Sequence, residues 1–204
     1  MAEILDENGL TEKEFIARYD ASRFERPSVT VDIIIFKGSR VLLIKRKRHP
    51  SIGRLAFPGG FLDPCEDVYT AAARELKEET GLTAVGLTQL CVASEPNRDP
   101  RTRIVTVPFL CDITDESELC AGDDAASAKW YDFSYKKSTL NGVTVYEVTI
   151  NDSGERKKFR ASVSADRSGL RGDLICKQIG ESCLAGDHAE IFVRALMKYE
   201  EELH

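Results

Sequence analysis

The segment with the clearest potential for catalysis or metal binding is residues 60–82, GFLDPCEDVYTAAARELKEETGL. It contains several carboxylates and one arginine at fixed offsets. The segment opens on Gly60, carries Arg74 in its second half and closes on Gly81-Leu82. Its acids at these offsets are Glu66, Glu75, Glu78 and Glu79. Clustered carboxylates repel one another unless a cation binds beside them, and Mg²⁺ takes oxygen ligands of this kind. The pattern therefore predicts a divalent-cation site.

The second half of this segment is predicted to be a helix from Val68 to Thr80, because it is rich in strong helix formers. Asp67 can cap its start, and Gly81 can end it. Like charges at helix spacing destabilise a helix by roughly 0.2–0.5 kcal/mol per pair. A solvated acidic helix face is the alternative interpretation. The acids that share an arc of roughly 100° are Glu75, Glu78 and Glu79.

The complete pattern, from Gly60 through Glu66 and Arg74 to Gly81, resembles the Nudix box. The resemblance implies a Nudix hydrolase, which uses Mg²⁺ or Mn²⁺ to hydrolyse a nucleoside diphosphate linked to another moiety. It also implies an α/β/α sandwich with a mixed sheet, in which the box forms a loop, a helix and a loop. By resemblance, Glu66 and Arg74 brace the site. The implied metal ligands are Glu75, Glu78, Glu79 and a backbone carbonyl of Gly59 or Gly60.

A basic segment precedes the box and offers a second kind of chemistry. It contains Arg46, Lys47, Arg48 and His49. A pyrophosphate keeps negative charge after metal binding, and arginine binds phosphate oxygens bidentately. Arg46 and Arg48 are therefore predicted to bind the substrate. A solvated hairpin end explains the same composition equally well.

The loop of residues 94–101 contains two prolines and two arginines. Because Pro96 stiffens it, the loop can order a ligand through Arg98 and Arg101 at low entropic cost. It resembles the loop of Nudix ADP-ribose pyrophosphatases, which often carry a proline fifteen residues beyond the box glycine, as Pro96 does here. Nudix-derived regulators of NAD biosynthesis have similar loops. Their winged-helix domain does not follow here and the box is intact, which favours an enzyme. A plain surface turn is the alternative.

An acidic stretch at residues 115–124 is a candidate source of a general base. Hydrolysis needs a group that takes a proton from the attacking water, and in this family that group often lies outside the box. A solvated acidic loop is the alternative. The candidates are Asp124 and Asp123, ranked first, followed by Glu116 and Glu118.

The chain is predicted to be an α/β protein with a Nudix core and an added β-hairpin before its last helix. The hairpin follows from two alternating stretches between residues 142 and 165. A Thr11-x-x-Glu14 capping box begins an N-terminal helix. Within the core, strands are predicted at residues 29–36, from 41, at 85–94, 103–112 and 128–133. The predicted parts are residues 1–26 (helical segment), 27–133 (Nudix core), 134–182 (β-rich insertion) and 183–204 (C-terminal helix of the fold).

The composition fits a compact enzyme. Of the 204 residues, 42% are hydrophobic and 30% are charged, which supports a core and a charged surface. The net charge of −6 argues against a nucleic-acid partner. The sequence contains no apolar run of about 18 residues, so no membrane span is predicted. The N-terminus has no signal-peptide pattern, and the six cysteines show no metal-binding spacing. A cytoplasmic setting is therefore expected.

These features together predict hydrolysis of a nucleotide substrate, with ADP-ribose converted to AMP and ribose 5-phosphate in the presence of Mg²⁺ or Mn²⁺. Two alternatives remain open. One is a Nudix hydrolase of a sugar nucleotide, NADH or an oxidised nucleoside triphosphate, and the other is a non-catalytic sensor of ADP-ribose. A homodimer is expected, because the N-terminal segment and the added hairpin leave apolar faces that one domain need not cover.

Overall fold

The computed structural model describes residues 4–113, 128–166, 168 and 174–202. Within these ranges the helices are α1 (Glu12–Arg18), α2 (Val68–Thr80), α3 (His188–Glu202) and a short 3-10 helix (Ala21–Arg23). The strands are β1 (Ser28–Ile34), β2 (Phe36–Lys37), β3 (Arg40–Lys45), β4 (Leu55–Ala56), β5 (Gly59–Phe61), β6 (Ala84–Gln89), β7 (Ile104–Ile113), β8 (Lys129–Leu140), β9 (Val143–Asp152), β10 (Glu155–Ala165) and β11 (Leu174–Gln178). None of the described helices is long and apolar enough to cross a membrane.

Strand β1 lies inside a mixed four-stranded sheet with the order β5-β1-β7-β6. It runs parallel to β7 and antiparallel to β5, while β6 runs antiparallel to β7. Helix α2 packs on this sheet through Ala72 and Leu76, which share one apolar cluster with Val31, Ile33 and Phe109. This packing decides which side of α2 faces away from the core.

Strand β6 is shorter than the predicted strand at residues 85–94, because its partner strand contains a proline. The Leu90 N–H donates to the Pro108 carbonyl at 2.9 Å, but Pro108 has no N–H with which to return a bond. Strand β6 accordingly ends at Gln89, and the chain passes on toward the loop of residues 94–101.

The second sheet has the order β11-β10-β9-β8-β3-β2, with β4 also paired to β3. Strand β8 pairs with β3 through residues 129–132 and continues beside β9 to Leu140. The added hairpin before the last helix is confirmed as β9 and β10, which turn at Ser153-Gly154. Because β8 runs past the predicted boundary at 133/134 without a break, the segment 134–182 extends a sheet of the core. The division into four parts stays a prediction.

Helix α3 closes the main apolar core. Its Ile191, Phe192 and Leu196 are buried in one cluster with Ile34 of β1 and Phe159 of β10. The rings of Phe192 and Phe159 meet edge to face at 5.1 Å between centroids. The mixed α/β fold expected from the sequence is therefore confirmed, and α3 is part of its core.

Helix α1 carries the predicted capping box. The Glu14 N–H donates to Thr11 Oγ1 at 3.3 Å, and the Thr11 N–H donates to Glu14 Oε2 at 2.9 Å. None of its residues is buried against the described part of the chain, and Phe15 and Ile16 are 50% and 64% exposed. A group of exposed apolar side chains of this kind indicates an interaction surface.

Candidate active site

Helix α2 is placed by its caps and by its apolar side. Asp67 Oδ1 accepts from the Thr70 N–H at 2.8 Å, and Gly81 ends the helix in the left-handed region with φ of 76°. Leu76 is fully buried on the sheet. The helix bounds and both caps match the sequence prediction, and they bring the box glutamates next to β5.

Arg74 binds three of the box glutamates at once. Its Nη2 and Nε donate to Glu66 at 2.6 and 3.1 Å, and its Nη1 donates to Glu75 at 2.9 Å and to Glu78 at 3.1 Å. Its Nη2 also donates to the Phe61 carbonyl at 3.0 Å. Hydrogen bonding from Arg74 lowers the pKa of Glu66, and the same bond raises the pKa of Arg74. Arg74 and Glu66 thereby tie α2 to the chain that precedes it.

Glu79 lies apart from this cluster. The Gly59 N–H donates to its Oε2 at 2.8 Å. Burial raises the pKa of Glu79 to about 7, and the nearby charges of Glu75 and Asp32 add to the rise. Burial likewise raises the pKa of Glu75. A cation in contact with these two carboxylates would offset the cost of keeping them ionised.

Two glycines let the backbone of β5 approach these carboxylates. A Cβ at Gly60 would overlap the Glu75 carboxylate, and a Cβ at Gly59 would overlap the Val31 carbonyl oxygen. Gly59 also has φ of 153°, which L side chains rarely adopt. Only glycine fits at Gly59 without a backbone shift, whereas a side chain at Gly60 would displace the Glu75 carboxylate that packs against it.

The predicted metal ligands have the right chemistry, but they are not gathered around one point. They are Glu75, Glu78, Glu79 and a carbonyl of Gly59 or Gly60, all of them oxygen donors of the kind that Mg²⁺ takes. Within the described ranges, no group of three or more His, Cys, Asp or Glu side chains is close enough to hold a metal ion as it stands. The guanidinium of Arg74 bonds Glu75 and Glu78 instead. Arg74 uses one oxygen of each of these carboxylates, so binding of one ion by all three glutamates requires their side chains to come closer together.

A cavity of about 430 Å³ joins the box to other predicted segments. Gly59, Gly60 and Glu79 line it, and Phe61 follows them along β5. Pro96 is exposed and is not among the lining residues. The predicted substrate residues that line the cavity are Arg46, Arg48, Arg98 and Arg101. The structure thus brings the basic segment and the 94–101 loop to the same place as the box.

Two of these arginines already have carboxylate partners. Arg98 donates from Nε and Nη2 to Asp187 at 2.8 and 2.7 Å, and its side chain is only 7% exposed. Arg101 donates to Asp99 at 3.0 and 2.9 Å and lies over the Phe61 ring at 5.5 Å. Hydrogen bonds from Arg101 lower the pKa of Asp99. Both arginines therefore hold the loop in shape, and their charge is compensated before any substrate binds.

Arg46 and Arg48 are differently placed. Arg46 is half-buried and donates from Nε to the Pro50 carbonyl at 2.8 Å. Arg48 is exposed at the cavity, and no carboxylate of the described residues pairs with it. Among the described residues, neither Arg46 nor Arg48 is paired with a carboxylate, so their charge is available to a phosphate.

The predicted general bases lie outside the described residues. The structure therefore leaves their role as a prediction. They are Glu116, Glu118, Asp123 and Asp124.

The cavity also contains charged or titratable residues that were not predicted from the sequence, among them Asp32, Asp187 and His188. Asp32 is the lone acid in the apolar strand VTVDIIIF, and it is 8% exposed. Asp187 and His188 follow Gly186 at the start of α3. A buried acid inside an apolar strand was a usable signal, because such a group needs a partner. Nothing local marks Asp187 or His188, whose partners are distant in the chain.

Known proteins with a NUDIX domain resemble this chain in sequence and structure. The NUDIX domain family matches residues 26–137. The ADP-ribose pyrophosphatase of Methanocaldococcus jannaschii is 42% identical over 125 residues, 60% of this chain and 73% of that protein. A MutT/nudix family protein from Enterococcus faecalis has a TM-score of 0.67 and 29% identity, covering 94% of this chain and 70% of that one. The NUDIX domain of Shewanella oneidensis NrtR complexed with ADP ribose has a TM-score of 0.50 and 30% identity, covering 60% and 84%.

Proposed function

The chain belongs to the Nudix family, and we propose that it hydrolyses ADP-ribose to AMP and ribose 5-phosphate with Mg²⁺ or Mn²⁺ as cofactor. The similarity to an ADP-ribose pyrophosphatase supports the reaction, and a related domain that holds ADP ribose supports the ligand.

The observation that carries the proposal is the cavity at the start of the box. Glu79 and the two glycines of β5, Gly59 and Gly60, line this cavity together with Arg48, whose positive charge is uncompensated. A nucleoside diphosphate ester needs both features, since its phosphates carry charge that a metal ion neutralises only in part. A volume of about 430 Å³ lies within the range of roughly 300–1,000 Å³ that is usual for small-molecule sites.

In the proposed mechanism, Glu75, Glu78 and Glu79 would hold the metal with a carbonyl of Gly59 or Gly60. When bound there, a divalent cation would neutralise charge on the phosphates and supply an activated water. The Gly59 N–H orients the Glu79 carboxylate through one oxygen. Arg74, which bonds Glu66, Glu75 and Glu78 at once, would balance the negative charge that remains.

Proton transfer requires a further carboxylate. We keep Asp124 and Asp123, followed by Glu116 and Glu118, as the proposed general bases. The water oxygen then attacks one phosphorus in line, the bond from that phosphorus to the bridging oxygen breaks, and the bridging oxygen leaves with the other phosphate. The arginines Arg46 and Arg48 bind phosphate oxygens that the metal leaves free, while Arg98 and Arg101 keep the neighbouring loop in place.

The experiment that tests this proposal is release of AMP from ADP-ribose with Mg²⁺, followed by chromatography. The same protein is assayed on a sugar nucleotide, NADH and an oxidised nucleoside triphosphate, with phosphate detection after phosphatase treatment. We expect the highest kcat/KM for ADP-ribose. A clearly higher kcat/KM for another nucleotide would still support hydrolysis of a nucleoside diphosphate, but it would refute ADP-ribose as the preferred substrate.

The second candidate is a sensor that binds ADP-ribose without turnover. The NUDIX domain of Shewanella oneidensis NrtR was solved in complex with ADP ribose, which favours binding as a function in its own right. Calorimetric binding of ADP-ribose with no AMP released, at equal protein concentration and with Mg²⁺ or Mn²⁺, would support the sensor.

We also propose that the protein forms a homodimer in which α1 contributes to the interface, and that it acts in the cytoplasm on small molecules without a nucleic-acid partner. The exposure of Phe15, Ile16, Tyr19 and Phe24 supports the first part, because these apolar side chains are 50% to 64% exposed.

A further inference from the structure

The start of helix α3 carries a histidine whose ring is built into the wall of the cavity. His188 is 9% exposed. Its ring stacks on the Phe57 ring at 5.2 Å between centroids, with 11° between the planes. Nδ1 accepts from the Phe57 N–H at 3.2 Å, and Nε2 lies 3.5 Å from Asp32 Oδ1. Both ring nitrogens therefore face a specific group, although neither group belongs to α3.

The hydrogen bonds assign the tautomer of this ring. Because Nδ1 accepts from an N–H, the hydrogen of the neutral imidazole is on Nε2, where it faces Asp32. The other oxygen of Asp32 accepts from Thr106 Oγ1 at 2.7 Å. Asp32 is thus a buried carboxylate that accepts a hydrogen bond at one oxygen and faces Nε2 of His188 with the other, and its charge favours this orientation of the ring.

Both partners of His188 lie next to Gly59, the first residue of β5. Asp32 lies opposite Gly59 in the pairing of β1 with β5, and Phe57 precedes that strand. The Gly59 N–H in turn orients Glu79 at 2.8 Å. A change in the His188 ring would therefore move the backbone that holds Glu79, without any contact between His188 and Glu79 themselves.

We propose that His188, oriented by Asp32, is a positioning residue that holds residues 57–59, and through them the Glu79 carboxylate, in the arrangement that hydrolysis requires. The proposal rests on the proposed function for its kinetic part. It assigns α3 a role in the site beyond closing the core. The alternative is that His188 only packs the core, as many buried histidines do.

The test compares His188→Leu with a matched change at the other end of the same helix. Tyr199→Phe removes one hydrogen bond between α3 and the body, the one that Tyr199 Oη accepts from the Gly38 N–H at 3.1 Å. Both variants are measured for melting temperature, for the Mn²⁺ concentration that gives half of the Mn²⁺-induced thermal shift, and for kcat and KM with ADP-ribose.

We expect both variants to melt below the wild type. Only His188→Leu should lower kcat by about 10–100-fold and raise the half-saturating Mn²⁺ concentration by about tenfold, as is typical for the loss of a group that orients a metal ligand. KM should change less than threefold in this variant, because the phosphate-binding arginines are untouched. His188→Asn should recover most of kcat, since its side-chain oxygen can accept from the Phe57 N–H in place of Nδ1.

Equal kcat and equal Mn²⁺ response in His188→Leu and Tyr199→Phe would overturn the proposal, as would a His188→Asn variant no better than His188→Leu. If His188→Leu does not fold, His188→Gln takes its place, because its amide group corresponds in position to Nε2 and not to the Nδ1 that accepts from the Phe57 N–H, and the same losses are expected. A wild-type protein inactive on ADP-ribose would refute the proposed function alone. The Mn²⁺ thermal shift would still decide whether His188 positions the metal-binding carboxylate.

Discussion

Replacing Glu79 by glutamine is expected to stabilise the metal-free protein at alkaline pH. Burial raises the pKa of Glu79 from its ordinary 4.5 to about 7, so the folded protein resists ionisation of this group. The difference corresponds to about 3 kcal/mol at a pH well above 7. Glutamine carries no charge, and its side-chain oxygen can still accept from the Gly59 N–H. The variant therefore keeps the local hydrogen bond and removes the cost of a buried charge.

The pH dependence follows from the direction of the shift. A carboxyl group with a raised pKa contributes stability below its unfolded value of 4.5, and this contribution is lost as the pH rises through about 7. The free energies of unfolding of wild type and Glu79→Gln should therefore be similar near pH 4.5 and separate toward pH 8.5. For a chain of this length, about 3 kcal/mol corresponds to a rise in Tm of about 6–12 °C.

The same change should abolish function. In the wild type, Mg²⁺ or Mn²⁺ binds the folded state and raises Tm by mass action. Glu79→Gln lacks one proposed ligand and one charge, so its thermal shift with the cation should be largely lost and kcat should fall by several orders of magnitude. Stability and activity would then change in opposite directions in one variant.

The assay is thermal unfolding in EDTA between pH 4.5 and 8.5, repeated with Mg²⁺, beside AMP release from ADP-ribose. Glu78→Gln is the matched control for stability, because the Glu78 side chain is 58% exposed and has little burial cost to remove. The reasoning is refuted if Glu79→Gln in EDTA is no more stable than wild type at pH 8.5, or if its Mg²⁺ shift equals that of wild type.

Arg48→Ala should raise KM about tenfold with kcat nearly unchanged, because it removes one charged phosphate contact; an unchanged KM would contradict that role. Arg98→Ala should cost about 3 kcal/mol in urea unfolding, since it leaves Asp187 without its bidentate partner. Asp152→Asn should lower stability by about 2 kcal/mol without changing kcat, because Asp152 accepts from two lysines far from the cavity. Deleting residues 1–24 should reduce the mass in light scattering from twice 22.7 kDa to a monomer, and an unchanged mass would remove α1 from the interface.

Structural features that depend on interactions between residues close together in the sequence were predictable. The bounds of α2, its caps at Asp67 and Gly81, and the capping box of α1 all depend on contacts between near neighbours in the chain. The predicted strand at residues 29–36 was correct in type but not in detail. β1 ends at Ile34, and Phe36 starts a strand of the other sheet, because pairing partners lie far away in sequence.

The candidate site shows the same division. Glu78 and Glu79 are adjacent and chemically alike, and both were predicted from the sequence to be metal ligands. In the fold, Arg74 pairs with Glu78, which stays exposed, while Glu79 turns under β5 to the Gly59 N–H. Burial by a strand at the other end of the box, and not residue type, raises the pKa of Glu79.

The sequence by itself determined the family, the helix that carries the acids and the set of arginines that could meet a phosphate. Only the tertiary structure decided how those groups are used. Arg98 forms an ion pair with Asp187, which is 89 residues away in the chain. His188 reaches Asp32 and Phe57 because α3 closes the core beside the box. The physical reason is that ion pairs, burial and backbone hydrogen bonds depend on distances in space, which local spacing does not specify.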